Sequence, residues 1–127
     1  MELDASLSWL VLALTPGIAS RLSALLLKRF GSPDAVFRAP LRDLEACSLP
    51  ASVARAVYKK ESFKCAEKEL TATRNMDRCR LINWTDPEYP QTLLQIYDPP
   101  VLFYVRGDPE VLSLPCLSIV GTRKPTP

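Results

Sequence analysis

Residues 116–124 read Cys-Leu-Ser-Ile-Val-Gly-Thr-Arg-Lys, an apolar run that leads into glycine, threonine and two cations. The length and β-branched content of residues 116–120 predict a strand. In doubly wound α/β domains, a glycine after such a strand lets a phosphate approach the backbone amides that follow. A guanidinium can hold a phosphate through paired N–H donors, and a lysine adds a mobile charge. The pattern predicts a phosphate-binding site, here called the cationic turn, at Gly121, Thr122, Arg123 and Lys124; the alternative is an ordinary surface loop.

The sequence before the cationic turn alternates extended runs with turns. Residues 81–84 and 101–105 have the β-branched and aromatic content of strands. A short helix around Leu93 and Leu94 and several proline-containing turns lie between the runs. Because helical connections between strands are typical of parallel sheets, this part of the chain predicts a parallel sheet.

The first part of the chain has a helical pattern. Four of its apolar residues recur at helical spacing, namely Leu7, Leu10, Val11 and Leu14. A second helix is expected over residues 18–30, ended by Gly31, and Ser32 followed by Pro33 predicts the start of a third. A long helix is expected from about residue 52 to 74. Only four of the twelve prolines precede residue 71, which predicts a helical domain over residues 1–74 and a second domain over 75–127.

Two features of the helical part have phosphate-binding potential. The turns at residues 15–18 and 48–51 each lead into a helix, as in helix-hairpin-helix modules that offer backbone amides to nucleic acid. Lys60, Lys64 and Lys68 are spaced to share one helical face. The alternatives are a turn that simply packs and the solvated side of an amphipathic helix.

The composition excludes several classes of function. The 127 residues carry a formal charge of only +2, so binding to nucleic acid must depend on local features. The absence of histidine excludes catalytic triads and histidine metal sites. The four cysteines form no C-x-x-C pair, so we expect reduced thiols and neither a metal nor another cofactor.

The N-terminal sequence lacks the features of an export signal. Glu2 and Asp4 stand where a signal peptide needs basic residues, and Pro16-Gly17 interrupts the apolar run. No stretch approaches the roughly 20 apolar residues of a membrane helix. We therefore expect a cytoplasmic protein without a membrane association.

The second part of the chain resembles the bacterial DNA-processing protein A family, also called DprA or Smf. The resemblance covers residues 80–127 and is carried by Leu81-Ile82-Asn83-Trp84, Asp86, Tyr89-Pro90, Leu93-Leu94, Asp98-Pro99-Pro100, residues 102–107 and residues 118–123. The helical part also resembles that family's N-terminal domain, which is SAM-like or helix-hairpin-helix-like. The fold implied is a SAM-like helical bundle followed by the truncated start of an extended Rossmann-like sheet.

The resemblance implies a function in natural transformation without enzymatic activity. Family members bind incoming single-stranded DNA and help to load a RecA-type recombinase, and they form homodimers. The Gly-Ser/Thr-Arg turn of the family's DNA-binding pocket corresponds to Gly121, Thr122 and Arg123, and Lys124 is a further candidate. The resemblance identifies no residue that stacks on bases.

The chain ends three residues after the cationic turn, so we expect a truncated and inactive form that lacks most of the sheet and the surfaces for dimerisation and recombinase contact. Apolar side chains in residues 116–120 would then be uncovered. Two other functions are open at this point. One is a helical protein-interaction module without DNA binding. The other is a fragment of a Rossmann-like enzyme that processes nucleotide phosphoribosyl bonds, although the matching motifs contain no paired carboxylates.

Overall fold

The computed structural model describes residues 4–124, which form helices followed by a small sheet. The helices are α1 (Ala5–Leu14), α2 (Ser20–Phe30), α3 (Pro33–Arg38), α4 (Leu41–Glu45), α5 (Ala51–Tyr58), α6 (Phe63–Asn75) and α7 (Gln91–Leu94). The strands are β1 (Cys79–Asn83) and β2 (Leu102–Arg106), and a 3-10 helix follows over Pro109–Ser113. The predicted helical character of the first part is confirmed.

The helix boundaries follow the capping residues of the sequence. Asp4 caps α1 by accepting a hydrogen bond from the Ser6 amide at 2.9 Å. Gly31 ends α2 at a φ of 88°, as predicted for a terminating glycine. Ser32 then caps α3 by accepting a hydrogen bond from the Ala35 amide at 3.2 Å. The first three helices thus begin and end close to where the sequence places them.

The core lies around α1, which is buried on most of its surface. Residues 7–12 are all buried, and α1 packs against α3, α6 and β2. The residues that are completely enclosed include Leu12 of α1, Leu26 of α2, Val36 of α3, Leu44 of α4 and Val57 of α5. Because none of these short helices is stable alone, this shared apolar centre holds the bundle together.

The prediction of one long helix over residues 52–74 is wrong, because α5 and α6 are separate helices. Lys60 adopts a φ of 53° and ends α5 in a Schellman motif. Its amide donates to the Val57 carbonyl at 3.0 Å, and the Glu61 amide donates to the Ala56 carbonyl at 3.1 Å. The hydroxyl of the buried Ser62 donates to the Leu14 carbonyl at 2.9 Å. This tertiary contact, rather than a glycine or proline, accompanies the break.

The prediction of a parallel sheet is also wrong, because β1 and β2 pair antiparallel. Cys79 lies opposite Arg106, and Asn83 lies opposite Leu102. The connection between the strands contains only the four-residue α7. A long crossover helix usually joins parallel strands, and residues 84–101 contain none, so the chain instead turns back beside β1.

The predicted strand over residues 116–120 is absent from the structure. These residues contain no regular secondary structure, and Leu117, Ile119 and Val120 are 89%, 92% and 92% exposed. A strand needs a neighbour that accepts its backbone hydrogen bonds, and within residues 4–124 no neighbouring segment pairs with it. The described residues therefore contain no three-stranded or parallel sheet.

The helical part and the second part pack against each other. The Trp9 ring of α1 meets the Trp84 ring edge to face at a centroid distance of 6.5 Å. The Ser20 hydroxyl donates a hydrogen bond to the Asp98 carboxylate. The Tyr104 hydroxyl of β2 lies 3.2 Å from the Glu69 carboxylate of α6 and donates to it. Whether residues 1–74 and 75–127 are independent domains stays a prediction.

Candidate nucleic-acid interface

The cationic turn lies on the surface at the end of a segment without regular secondary structure. All four of its residues are exposed, and no atom lies within 4 Å of the position that a Cβ would occupy at Gly121. The Lys124 amide donates to the Thr122 hydroxyl at 3.2 Å. Within residues 4–124, no carboxylate lies within ion-pair distance of Arg123 or Lys124. Both cations are therefore accessible to an external anion, and their binding of phosphate stays a prediction.

The lysine face predicted on one helix is divided by the break between α5 and α6. Lys60 belongs to the loop, whereas Lys64 and Lys68 lie on α6. These two lysines line a shallow depression together with Glu67 and Asn75. The acidic side chain between them reduces the positive potential, so this surface fits a solvated helix face better than a phosphate-binding stripe.

The predicted helix-entry turn at residues 15–18 packs against α5, the helix that the second predicted turn enters. A Cβ built at Gly17 would lie 2.7 Å from Cγ2 of Val53 in α5. The space that makes glycine suitable for a close phosphate contact is therefore filled by an internal side chain. Packing against Val53 explains why residue 17 is a glycine. The glycine therefore gives no support to a phosphate site at this turn.

A pocket of about 320 Å³ lies between the helical part and the second part. Its lining comprises Ser20, Arg21, Ala24, Trp84, Tyr97, Asp98 and Pro99. The Tyr97 side chain is fully exposed, at 101% of its reference area. Sequence reasoning missed this site because its residues are far apart along the chain. The one signal was an aromatic residue placed directly before Asp98-Pro99-Pro100, in a segment that cannot be a helix or a strand.

The loop that carries Tyr97 is held by a buried tyrosine. The Tyr89 hydroxyl donates to the Pro100 carbonyl at 2.7 Å, and the Tyr89 ring meets Phe103 of β2 at a centroid distance of 5.2 Å. Burial raises the pKa of the Tyr89 hydroxyl above its ordinary value of 10.0, and the neighbouring Trp84 indole offsets this effect only in part. Tyr89 is therefore a neutral hydrogen-bond donor at physiological pH, and it fixes one wall of the pocket.

The described part of the chain offers few other sites. Across residues 4–124, no three cysteine or acidic side chains are grouped so that they could hold a metal ion. The four cysteines are free thiols, of which Cys47 is buried. No helix in this range has the length and apolar character needed to cross a membrane.

Comparison with known proteins finds a similar family for the second part of the chain. Residues 80–127 match the family model described as DNA recombination-mediator protein A. This range contains all of the sheet except Cys79, the loop that carries Tyr97, and the cationic turn. This part of the chain is therefore similar to that family. The resemblance that the sequence motifs predicted is confirmed, and the matching family is described as one of DNA recombination mediators.

One curated relative extends the match beyond residues 80–127. The chain is 28% identical over 83 residues to the protein named DNA processing protein DprA from Streptococcus pneumoniae (strain ATCC BAA-255 / R6). The alignment covers 65% of this chain and 27% of that relative. No solved structure matches the chain. The chain therefore spans well under half of the curated relative that it matches.

Proposed function

We propose that this protein binds single-stranded DNA through the cationic turn and acts in DNA transformation or recombination. The observation that carries the proposal is the exposure of Arg123, which has no carboxylate partner among residues 4–124 and lies within the sequence that matches the family. Gly121, two residues before Arg123, leaves the backbone open to a phosphate oxygen. Contacts of this kind give affinity without base sequence preference.

The low net charge supports a local interface rather than a broad basic surface. A formal charge of +2 attracts DNA weakly at a distance. Binding must then depend on a few phosphate contacts, each of which contributes about −0.7 to the slope of log affinity against log salt for a single strand. We therefore expect the affinity for DNA to depend only weakly on salt concentration.

Replacing Arg123 with alanine tests the proposal. We expect the affinity for a fluorescent single-stranded oligonucleotide to fall about 10-fold at low salt, because a charge-assisted hydrogen bond is lost. The salt slope should become less steep by about 0.7. Fluorescence anisotropy over a range of salt concentrations measures both quantities.

Two further variants serve as controls for the Arg123 experiment. Arg123→Lys keeps the charge but loses the paired donors, so the salt slope should be retained while affinity falls. Arg42→Ala removes an exposed arginine from α4, outside the family match, and should leave binding unchanged. Equal affinities and slopes for Arg123→Ala and the parent protein would contradict the proposal.

The resemblance also implies partners for this function. A RecA-type recombinase and a second copy of the chain are the partners that we propose on that basis. Since the chain spans 27% of its curated relative, both proposals concern a function of the longer proteins in which this sequence is only one part. Cytoplasmic location and the absence of enzymatic activity are proposals of the same kind.

A further inference from the structure

We propose that the pocket between Tyr97, Trp84 and Arg21 binds one nucleotide unit of the single strand, with the base stacked on Tyr97. The inference rests on the proposed DNA binding and deepens it, because it supplies the base contact that the cationic turn lacks. Its volume of about 320 Å³ lies at the small end of ligand pockets, which suits one base with its sugar and not a larger ligand.

The aromatic walls of the pocket are suited to a planar ring. Tyr97 is fully exposed although it is a large aromatic residue, and its loop is anchored by the hydrogen bond from Tyr89 to Pro100. The ring is therefore open to stacking by a base, while the hydrogen bond at Pro100 limits the movement of the loop that carries it. Base stacking on such a ring does not require a particular base, in agreement with the sequence tolerance of proteins that bind single strands.

The charged residues of the pocket favour a nucleotide in one orientation. Asp98 accepts a hydrogen bond from Ser20 at the first turn of α2, so its negative charge occupies the helix end that would otherwise attract a phosphate. Arg21 lines the same pocket and, among residues 4–124, has no ion-pair partner. Repulsion by Asp98 and attraction by Arg21 together direct the phosphate towards the Arg21 side.

The Trp84 indole forms part of the pocket wall, and its N–H lies close to the Tyr89 hydroxyl. A base that stacked on Tyr97 would change the surroundings of this indole, so the Trp84 N–H signal is expected to report the occupancy of the pocket.

The experiment compares two probes of equal length, of about ten nucleotides each. One is a thymidine oligonucleotide, and the other has the same phosphates and abasic sugars. The parent protein should bind the thymidine probe about 5-fold or more tightly than the abasic probe. Tyr97→Ala should abolish this preference, and Tyr97→Phe, which keeps the ring, should retain it. Because Tyr97 is fully exposed, neither substitution should disturb folding.

The outcomes separate the pocket from the cationic turn. Arg123→Ala should lower the affinity for both probes by the same factor, since it removes only a phosphate contact. The ratio of the two affinities should therefore stay unchanged. If Tyr97→Ala had the same ratio of affinities for the two probes as the parent, base binding in the pocket would be refuted. The proposed DNA binding would remain.

Failure of both probes to bind would instead refute the proposed DNA binding. Binding of thymidine monophosphate then tests the pocket by itself. A nitrogen–proton correlation spectrum measures this binding through the indole N–H signals of Trp9 and Trp84. A shift of the Trp84 signal in the parent and its loss in Tyr97→Ala would support the pocket. No shift in the parent would overturn it.

Discussion

Gly17 shows how one residue joins two helices of the bundle. It lies in the turn before α2 with a φ of 82°, and the position of its missing Cβ is 2.7 Å from Val53 Cγ2. Both the backbone conformation and the contact with α5 therefore require glycine. Gly31 shares the positive φ, at 88°, but nothing lies within 4 Å of its missing Cβ. The two glycines allow the conformational cost and the steric cost to be measured separately.

Gly17→Ala should be more destabilising than Gly31→Ala. We expect a loss of about 2–4 kcal/mol in the free energy of unfolding for Gly17→Ala, because a strained φ and an overpacked contact add together. Gly31→Ala should cost about 1 kcal/mol, since it suffers only from the positive φ. Urea denaturation of both variants measures the difference. Equal losses would show that the contact with Val53 has no energetic weight.

At the scale of the elements, α5 ends with a lysine at the position where glycine is usual. The Schellman motif places Lys60 at a φ of 53°, a left-handed conformation that is costly for a residue with a Cβ. Lys59, the preceding residue, has ordinary helical angles with a φ of −76°. The loop between α5 and α6 is therefore a place where substitution can stabilise the protein.

Lys60→Gly should raise the free energy of unfolding by about 0.5–1 kcal/mol, because the relief of left-handed strain exceeds the extra chain entropy of glycine. Lys59→Gly should lower it, since a helical residue gains nothing from glycine. Thermal and urea unfolding of the two variants provide the comparison. Stabilisation of neither variant, or of both equally, would argue against strain at residue 60.

The elements also show what the sequence can and cannot predict. Gly31 and the Ser32-Pro33 pair marked helix boundaries correctly because capping depends on nearby residues. The break at Lys60 was missed because Ser62 forms its hydrogen bond with Leu14, which is far away in sequence. The composition of two strands does not predict their relative direction, and the connection over residues 84–101 is long enough for either direction.

At the scale of the molecule, an ion pair joins the beginning of α1 to the last turn of α6. The Asp4 carboxylate accepts hydrogen bonds from the Ser6 amide and the Arg74 guanidinium. Burial raises the pKa of Asp4, but the Ser6 amide and the Arg74 charge lower it more, so the net pKa lies below the ordinary value of 3.8. The contact stabilises the fold above that pH and is lost as the pH falls through the lowered pKa.

Asp4→Asn should therefore weaken the acid sensitivity of the protein. Asparagine keeps the helix cap but cannot pair with Arg74, so the loss at neutral pH should stay below about 1 kcal/mol for this exposed pair. The difference in the free energy of unfolding between the parent and Asp4→Asn should shrink as the pH falls below 3.8. Urea midpoints measured from neutral to acidic pH provide the test, with Asp77→Asn as an exposed control. An identical pH dependence of the parent and Asp4→Asn would contradict the assignment.

One part of the candidate interface can be predicted from neighbouring residues in the sequence, and the other depends on tertiary packing. The cationic turn is a contiguous motif, so it could be named from the sequence, although the strand expected before it is absent. The Tyr97 pocket combines Arg21 with residues that follow β1, and only the packing of the two parts brings them together. No periodicity or motif in the sequence links Ser20 to Asp98.

The exposed segment over residues 114–124 has a practical consequence for the purified protein. Proteases cut extended, solvent-accessible backbone most readily, and Leu117 offers an accessible cleavage point ahead of Arg123. Clipping there would remove the cationic turn but leave every helix and strand in place, so circular dichroism would register no change. A sample can thus look fully folded after it has lost the proposed DNA contact, and intact mass is the quantity to check before each binding measurement.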